Sequence, residues 1–232
     1  MKHSGRGAIR DGLLVLLTLT TGAVDASCFL SLGHVFSSVI TGNLILIGVA
    51  AATQSGSLAA YSGTALAGYS AGVLIGAPIA TRRASGGETW PLRVTVTLVA
   101  EFCVLAAFSA GWELTGGSPG STARLLLIAA LAVAMGIQSA AVRELGGMST
   151  TYLTGTLTAV ITEVATRDRS PGFARSLGVL AAVVSGAVAG GLVAEHAPVW
   201  LPVVILTPLA AVVIASVTFE LAVTPPNPRR DR

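Results

Sequence analysis

The stretch "VITGNLILIG" (residues 39–48) sets a Thr-Gly pair and an asparagine inside an otherwise apolar run. A second stretch, "YLTGTLTAVI" (152–161), does the same with Thr-Gly-Thr. How these two interrupted segments cross or re-enter a bilayer decides the fold.

The bilayer itself follows from composition. The chain is 53% hydrophobic and 11% charged, with mean hydropathy +0.78. Soluble domains carry about 25% charge, and charge at membrane depth is costly. The net charge of +3 is small and the basic residues form no dense patch, so nucleic acid is not an expected partner. Cys28 and Cys103 both lie in apolar runs and read as packing residues rather than a disulfide. The three histidines are scattered, so neither a metal nor another cofactor is expected. The N-terminal run resembles a signal peptide, and "DASC" (25–28) a lipoprotein cleavage box. Asp25 stands where that box requires an apolar residue, and the run continues to Leu32, so this segment is expected to stay as the first membrane segment.

Eight apolar stretches follow one another, at roughly 12–33, 35–53, 57–81, 92–113, 122–142, 148–166, 173–195 and 199–222. A span needs about 20 apolar residues. The second and sixth are the weak ones, diluted by Ser, Thr and Asn, and they hold the two opening motifs. Turn-rich loops separate the rest, and the basic tail "PPNPRRDR" (225–232) within 223–232 reads as disordered. No separate soluble domain is visible.

The two halves, about 12–113 and 122–222, correspond. Gly22 precedes Gly136 by 114 residues, Thr41-Gly42 precedes Thr154-Gly155 by 113, and Gly72 and Gly76 precede Gly186 and Gly190 by 114. The glycine pairs have the small-xxx-small spacing that lets helices approach closely in lipid.

Charge chooses between topologies. If all eight stretches span with the N-terminus in the cytoplasm, ten basic residues fall inside and four outside. If the second and sixth re-enter and return to their own side, thirteen fall inside and only Arg124 outside. The positive-inside rule favours the second arrangement. The expected fold is therefore an all-α integral membrane protein of two inverted repeats, each with three spanning helices and one broken or re-entrant helix. Eight full spans are the alternative. Inverted repeats recur in secondary transporters, with substrate sites near the midplane.

On this reading Thr41-Gly42-Asn43 and Thr154-Gly155-Thr156 mark the breaks, with threonine as a helix N-cap and glycine as the bend. Broken backbone at depth must be buried or line a cavity. A short helix beginning there points its free N–H groups at the midplane, which suits an anionic or hydrogen-bonding solute. The competing reading is plain packing of Thr and Gly, with Asn43 bonding across a helix pair.

These residues resemble a known family. "TGAVDASCFLSLGHVFSSVITGNLILIGVA" (21–50) is similar to the N-terminal signature of the YoaK-like bacterial multi-pass membrane proteins: Gly-x-x-Asp, an apolar run, then Phe and Thr-Gly-Asn. "MGIQSAAVREL" (135–145) with "STTYLTGTLT" (149–158) resembles that family's second-half pattern, Gly-x-Gln followed by Thr-Thr-x-x-Thr-Gly-Thr. The likeness covers nearly the whole chain. It implies the membrane class and weight for Asp25, Thr41, Gly42, Asn43, Gln138, Thr154, Gly155 and Thr156. It implies no substrate.

Other polar residues join these candidates. Asp25 and Glu101 are acids within apolar stretches, where an ionisable group is by default functional. Either can carry a proton in a coupled cycle, although Asp25 can equally cap a helix. The repeat partner of Asp25 is Ser139, beside Gln138, so one half offers an acid and the other a neutral pair. Tyr152 joins them by its closeness to the second motif. Glu163 is expected to pair with Arg167, four residues on, and Trp90, Trp112 and Trp200 to form interfacial belts.

No HExxH, GxSxG or phosphate loop occurs, so an enzyme is not expected. The expected function is a secondary transporter or facilitator of a small solute, with proton coupling as a subsidiary expectation, in the bacterial inner membrane with both termini cytoplasmic. The alternative is a non-transporting structural or regulatory protein, with a homo-oligomer joined through glycine faces.

Overall fold

A computed structural model describes residues 2–81, 90–145 and 153–223, with side chains from 7–81, 90–145 and 153–218. Among these residues the protein is all-helical. Six helices are long and apolar enough to cross a membrane: α1 (Lys2–Leu32), α3 (Gly56–Ala80), α4 (Leu92–Leu114), α5 (Ser121–Arg143), α7 (Phe173–His196) and α8 (Leu201–Val223). Two are short, α2 (Ile40–Thr53) and α6 (Leu153–Thr166), each 14 residues. At 1.5 Å per residue each is about 21 Å long, below the ~30 Å of a hydrocarbon core. Among the described residues six helices, and not eight, have the length of a span.

Side-chain contacts fix the helix directions. Along α1 and α7 the numbers rise together: Asp11 meets Arg175, Gly22 meets Val183, and Leu30 meets Gly191. These two helices are parallel. So are α3 and α5, where Gly68 meets Ala129, Gly72 meets Val133 and Gly76 meets Ile137. Between α1 and α5 the order reverses: Arg10 donates to the carbonyl of Leu145, whereas Gln138 reaches Leu17 and Thr21. Hence α3 runs against α1, and α2 joins them at one end of the bundle. By the same reasoning α6 joins α5 to α7 at the other end. The end of α3 lies beside the start of α4, at Ile79 and Arg93. The indole of Trp112, late in α4, donates to the carbonyl of Pro198 at the start of α8. α4 therefore rises with α1 and α8 descends, so that α8 ends at the side of the bundle where α1 begins.

Two glycine seams bind the halves. A Cβ on Gly22 would lie 2.2 Å from the carbonyl oxygen of Val183, and one on Gly186 2.0 Å from that of Leu19. A Cβ on Gly72 would lie 2.1 Å from the carbonyl of Val133, and one on Gly136 2.2 Å from that of Tyr69. Each seam joins the first long helix of one half to the second long helix of the other. The repeat-related glycines thus sit at equivalent contacts.

Two local expectations are corrected. Glu163 does not pair with Arg167: the helix ends there in a left-handed residue (φ 57°), and Glu163 accepts instead from the Ser170 amide and hydroxyl. Trp90 and Trp112 are buried, bonded to Thr95 and Pro198, and only Trp200 projects from the surface. Both cysteines are free, Cys28 buried and Cys103 exposed. The C-terminal tail from residue 224 lies outside the described residues.

Candidate functional site

The first break forms because α1 cannot continue past Leu32. Gly33 (φ 117°) and His34 (φ 60°) both turn left-handed, and the His34 amide closes the helix onto the carbonyl of Phe29 at 3.0 Å. Gly33 is required twice over, since a Cβ there would lie 2.5 Å from the ring of Tyr61. Phe36 then stacks on Phe29, ring centroids 5.1 Å apart, and the chain folds back along α1.

Asp25 fixes the level to which it returns. Its Oδ1 accepts the amides of Ser37 and Ser38, each at 2.8 Å, and the Ser37 hydroxyl at 2.7 Å. Its Oδ2 accepts the Ser38 hydroxyl. Asp25 lies seven residues before the end of α1, about 10 Å along the axis. The start of α2 is therefore drawn into the bundle rather than left at its end. Asn43 completes the clasp: its Nδ2 donates to the carbonyl of Phe36 at 2.6 Å, and its Oδ1 accepts the Phe36 amide at 3.0 Å.

The break thus precedes the Thr-Gly pair. Val39 is the N-cap of α2, without a side-chain cap, and Thr41 and Gly42 belong to the first helical turn. The expected threonine cap and glycine bend are both corrected: the chain turns earlier, at Gly33 and His34, and α2 has begun by Ile40, so Thr41 and Gly42 are already helical. Thr154 and Gly155 likewise fall inside the first turn of α6. The motif's significance lies in its fourth position. Asn43 is the fourth residue of α2 and Thr156 the fourth of α6, and both are buried where their helices are otherwise largely exposed.

The halves meet at α1 and α5. Gln138 donates to the Thr21 hydroxyl at 2.8 Å and to the carbonyl of Leu17 at 3.3 Å. Thr21 is one turn before Asp25. Asp25, Thr21, Gln138 and Ser139 thereby form one polar band across two antiparallel helices. Ser139 is 8% exposed and its hydroxyl has no hydrogen-bond partner among the described residues. Glu101 lies elsewhere, on α4, fully buried. Tyr152 lies outside the described residues.

Ser37, Ser38 and Thr21 are site residues that motif reading does not single out. The adjacent hydroxyls of "FSSV" (36–39), twelve residues after a membrane acid, are the signal that points to them. Chemically, the band offers a saturated carboxylate, an amide and hydroxyls. Such groups can hydrogen-bond polar partners, and among the described residues no group of three His, Cys, Asp or Glu side chains is placed to hold a metal.

A family model described as protein of unknown function, DUF1275, matches residues 13–216, from within α1 to the last turns of α8. The chain belongs to that family. It is 38% identical over 164 residues to the transmembrane protein YoaK of Bacillus subtilis strain 168, covering 69% of each chain. No solved structure matches the chain. Membership agrees with the resemblance carried by the Gly-x-x-Asp and Thr-Gly motifs and with a multi-pass membrane protein.

Proposed function

We propose that this protein is a secondary transporter or facilitator of a small solute, with the solute held between the starts of α2 and α6. The observation that carries this is the depth of the α2 start, fixed by Asp25 and Asn43, together with an antiparallel α1–α5 contact at the same band. The helix directions support two inverted repeats. Such repeats place a site at the midplane and alternate access by moving one unit against the other. Here the units are α1 with α7 and α3 with α5, each locked by its glycine seam, and the α1–α5 contact between them is polar. The positive-inside bias puts both termini in the cytoplasm of a bacterial cell, the membrane being the inner one.

The solute class follows from an asymmetry. Just before the start of α2 a carboxylate, that of Asp25, already accepts the amides of Ser37 and Ser38. In the matching register the second half has Ser139, which brings no charge. The α6 end therefore favours a solute with an anionic or hydrogen-bonding group.

Swelling of phosphatidylcholine liposomes carrying the purified protein tests this, using acetate, glycolate, phosphate and glycerol as probes. Wild-type entry of at least one probe faster than in protein-free liposomes, and slowed by Asn43→Ala, is the expected result. Rates equal to protein-free liposomes for every probe contradict transport and favour the structural or regulatory reading, with oligomerisation through exposed helix faces.

A further inference from the structure

Two carboxyl groups lie at membrane depth, and the structure treats them in opposite ways. Asp25 accepts four hydrogen bonds from Ser37 and Ser38 and is held in place by them. Neither Oε1 nor Oε2 of Glu101 has a hydrogen-bond partner among the described residues, although the side chain is fully buried. We infer that Glu101, and not Asp25, is the group through which this protein binds and exchanges a proton. The inference deepens the transport reading by naming its coupling site.

The surroundings of Glu101 supply nothing to balance a charge. Its face of α4 carries Thr97, Leu98, Leu105 and Phe108, all buried, and the Thr97 hydroxyl is spent on the carbonyl of Arg93. Three helices pack against α4. In α3 the ionisable groups are Tyr61 and Tyr69. In α5 they are Arg124 and Arg143, near its two ends. In α8 the only one is Glu220, close to the C-terminal end. On α4 itself Arg93, Cys103 and Glu113 stand two or more residues away. Among the described side chains none forms an ion pair or hydrogen bond with Glu101. A bare carboxylate so enclosed is strongly disfavoured. A carboxylic acid is tolerated there. The enclosed state therefore holds a proton on Glu101, and releasing it requires this face of α4 to meet water.

Position connects Glu101 to the polar band. Gly111 of α4 lies against Leu127 of antiparallel α5. Ten residues back along α4 is about 15 Å, which brings Glu101 level with the Gln138 turn of α5. Gln138 faces α1. α5 thus adjoins both α1, through Gln138, and α4, which bears Glu101, so a shift of α5 against α1 alters the enclosure of both.

Infrared spectroscopy of the full chain reconstituted in phosphatidylcholine liposomes tests this without knowledge of the solute. The expected result is a protonated-carboxyl stretch at neutral pH that shifts when glutamate alone carries a ¹³C carboxyl. It is lost in Glu101→Gln, kept in Asp25→Asn, and shifted again after transfer to D₂O. The isotope measurement needs no variant and stands even if a substitution fails to fold. A band absent at neutral pH, one insensitive to glutamate labelling, or one removed by Asp25→Asn overturns the assignment. A band that never shifts in D₂O makes Glu101 a sealed structural acid and also overturns it. Should the liposome swelling assay find no transported probe while the band behaves as expected, the transport reading fails and the proton site stands.

Discussion

Gln138 of α5 donates to the Thr21 hydroxyl of α1 at 2.8 Å, one turn from Asp25. This bond joins the two antiparallel helices that open the two halves of the chain. It is one of the polar contacts, with that of Arg10 to the carbonyl of Leu145, between units whose own seams are built from glycine. A contact meant to separate and re-form should be modest in strength, and a hydrogen bond of this kind contributes about 0.5–1.5 kcal/mol.

A double-mutant cycle with Thr21→Val and Gln138→Leu measures that contact. The expected coupling energy is about 1 kcal/mol, read from unfolding of the detergent-solubilised protein. Additive effects would show that Thr21 and Gln138 do not bond.

Asp25 is expected to be a folding residue before anything else. Asp25→Ala leaves two backbone amides and two hydroxyls without their acceptor. Each buried unsatisfied group costs about 1–3 kcal/mol, so a loss of roughly 3 kcal/mol or more is expected, with a large drop in Tm. Asp25→Asn keeps one acceptor oxygen and should lose about half as much. Equal Tm for Asp25→Ala and wild type would contradict the anchoring role.

The glycine seams give a paired test. Gly186→Ala would put a methyl 2.0 Å from the carbonyl of Leu19, whereas a Cβ on Gly63 meets nothing within 4 Å. Overpacking of this kind costs about 1–3 kcal/mol, and a backbone neighbour cannot turn aside. Gly63→Ala should be neutral or stabilising by up to about 1 kcal/mol through helix propensity. Thermal stability of the two variants checks the contrast.

Much of this was legible in the sequence. Segment number and the weakness of the second and sixth stretches came from hydropathy, and the placement of arginines carried the expectation of re-entry. Asp25 stood out as an acid in lipid. The position of the break did not, because its cause is distant in sequence. Thr41-Gly42 has the composition of a bend yet sits in a helix, while the true turn at Gly33-His34 depends on Tyr61 and on Asp25. The burial of Trp90 and Trp112 likewise comes from tertiary contact: Trp112 finds its acceptor 86 residues away. Glu163 lost its expected partner because the left-handed Arg167 ends the helix on which the pair depended.

The central claim is that the two short helices return to the ends from which they enter. Single cysteines at Ser55, after α2, and at Asp168, after α6, test it in intact cells, with Cys28 and Cys103 replaced by alanine. A membrane-impermeant thiol reagent should label Ser55→Cys from outside and Asp168→Cys only after permeabilisation. Protection of Ser55→Cys in intact cells, with both sites labelled only from inside, would mean that α2 crosses the membrane and would contradict the account.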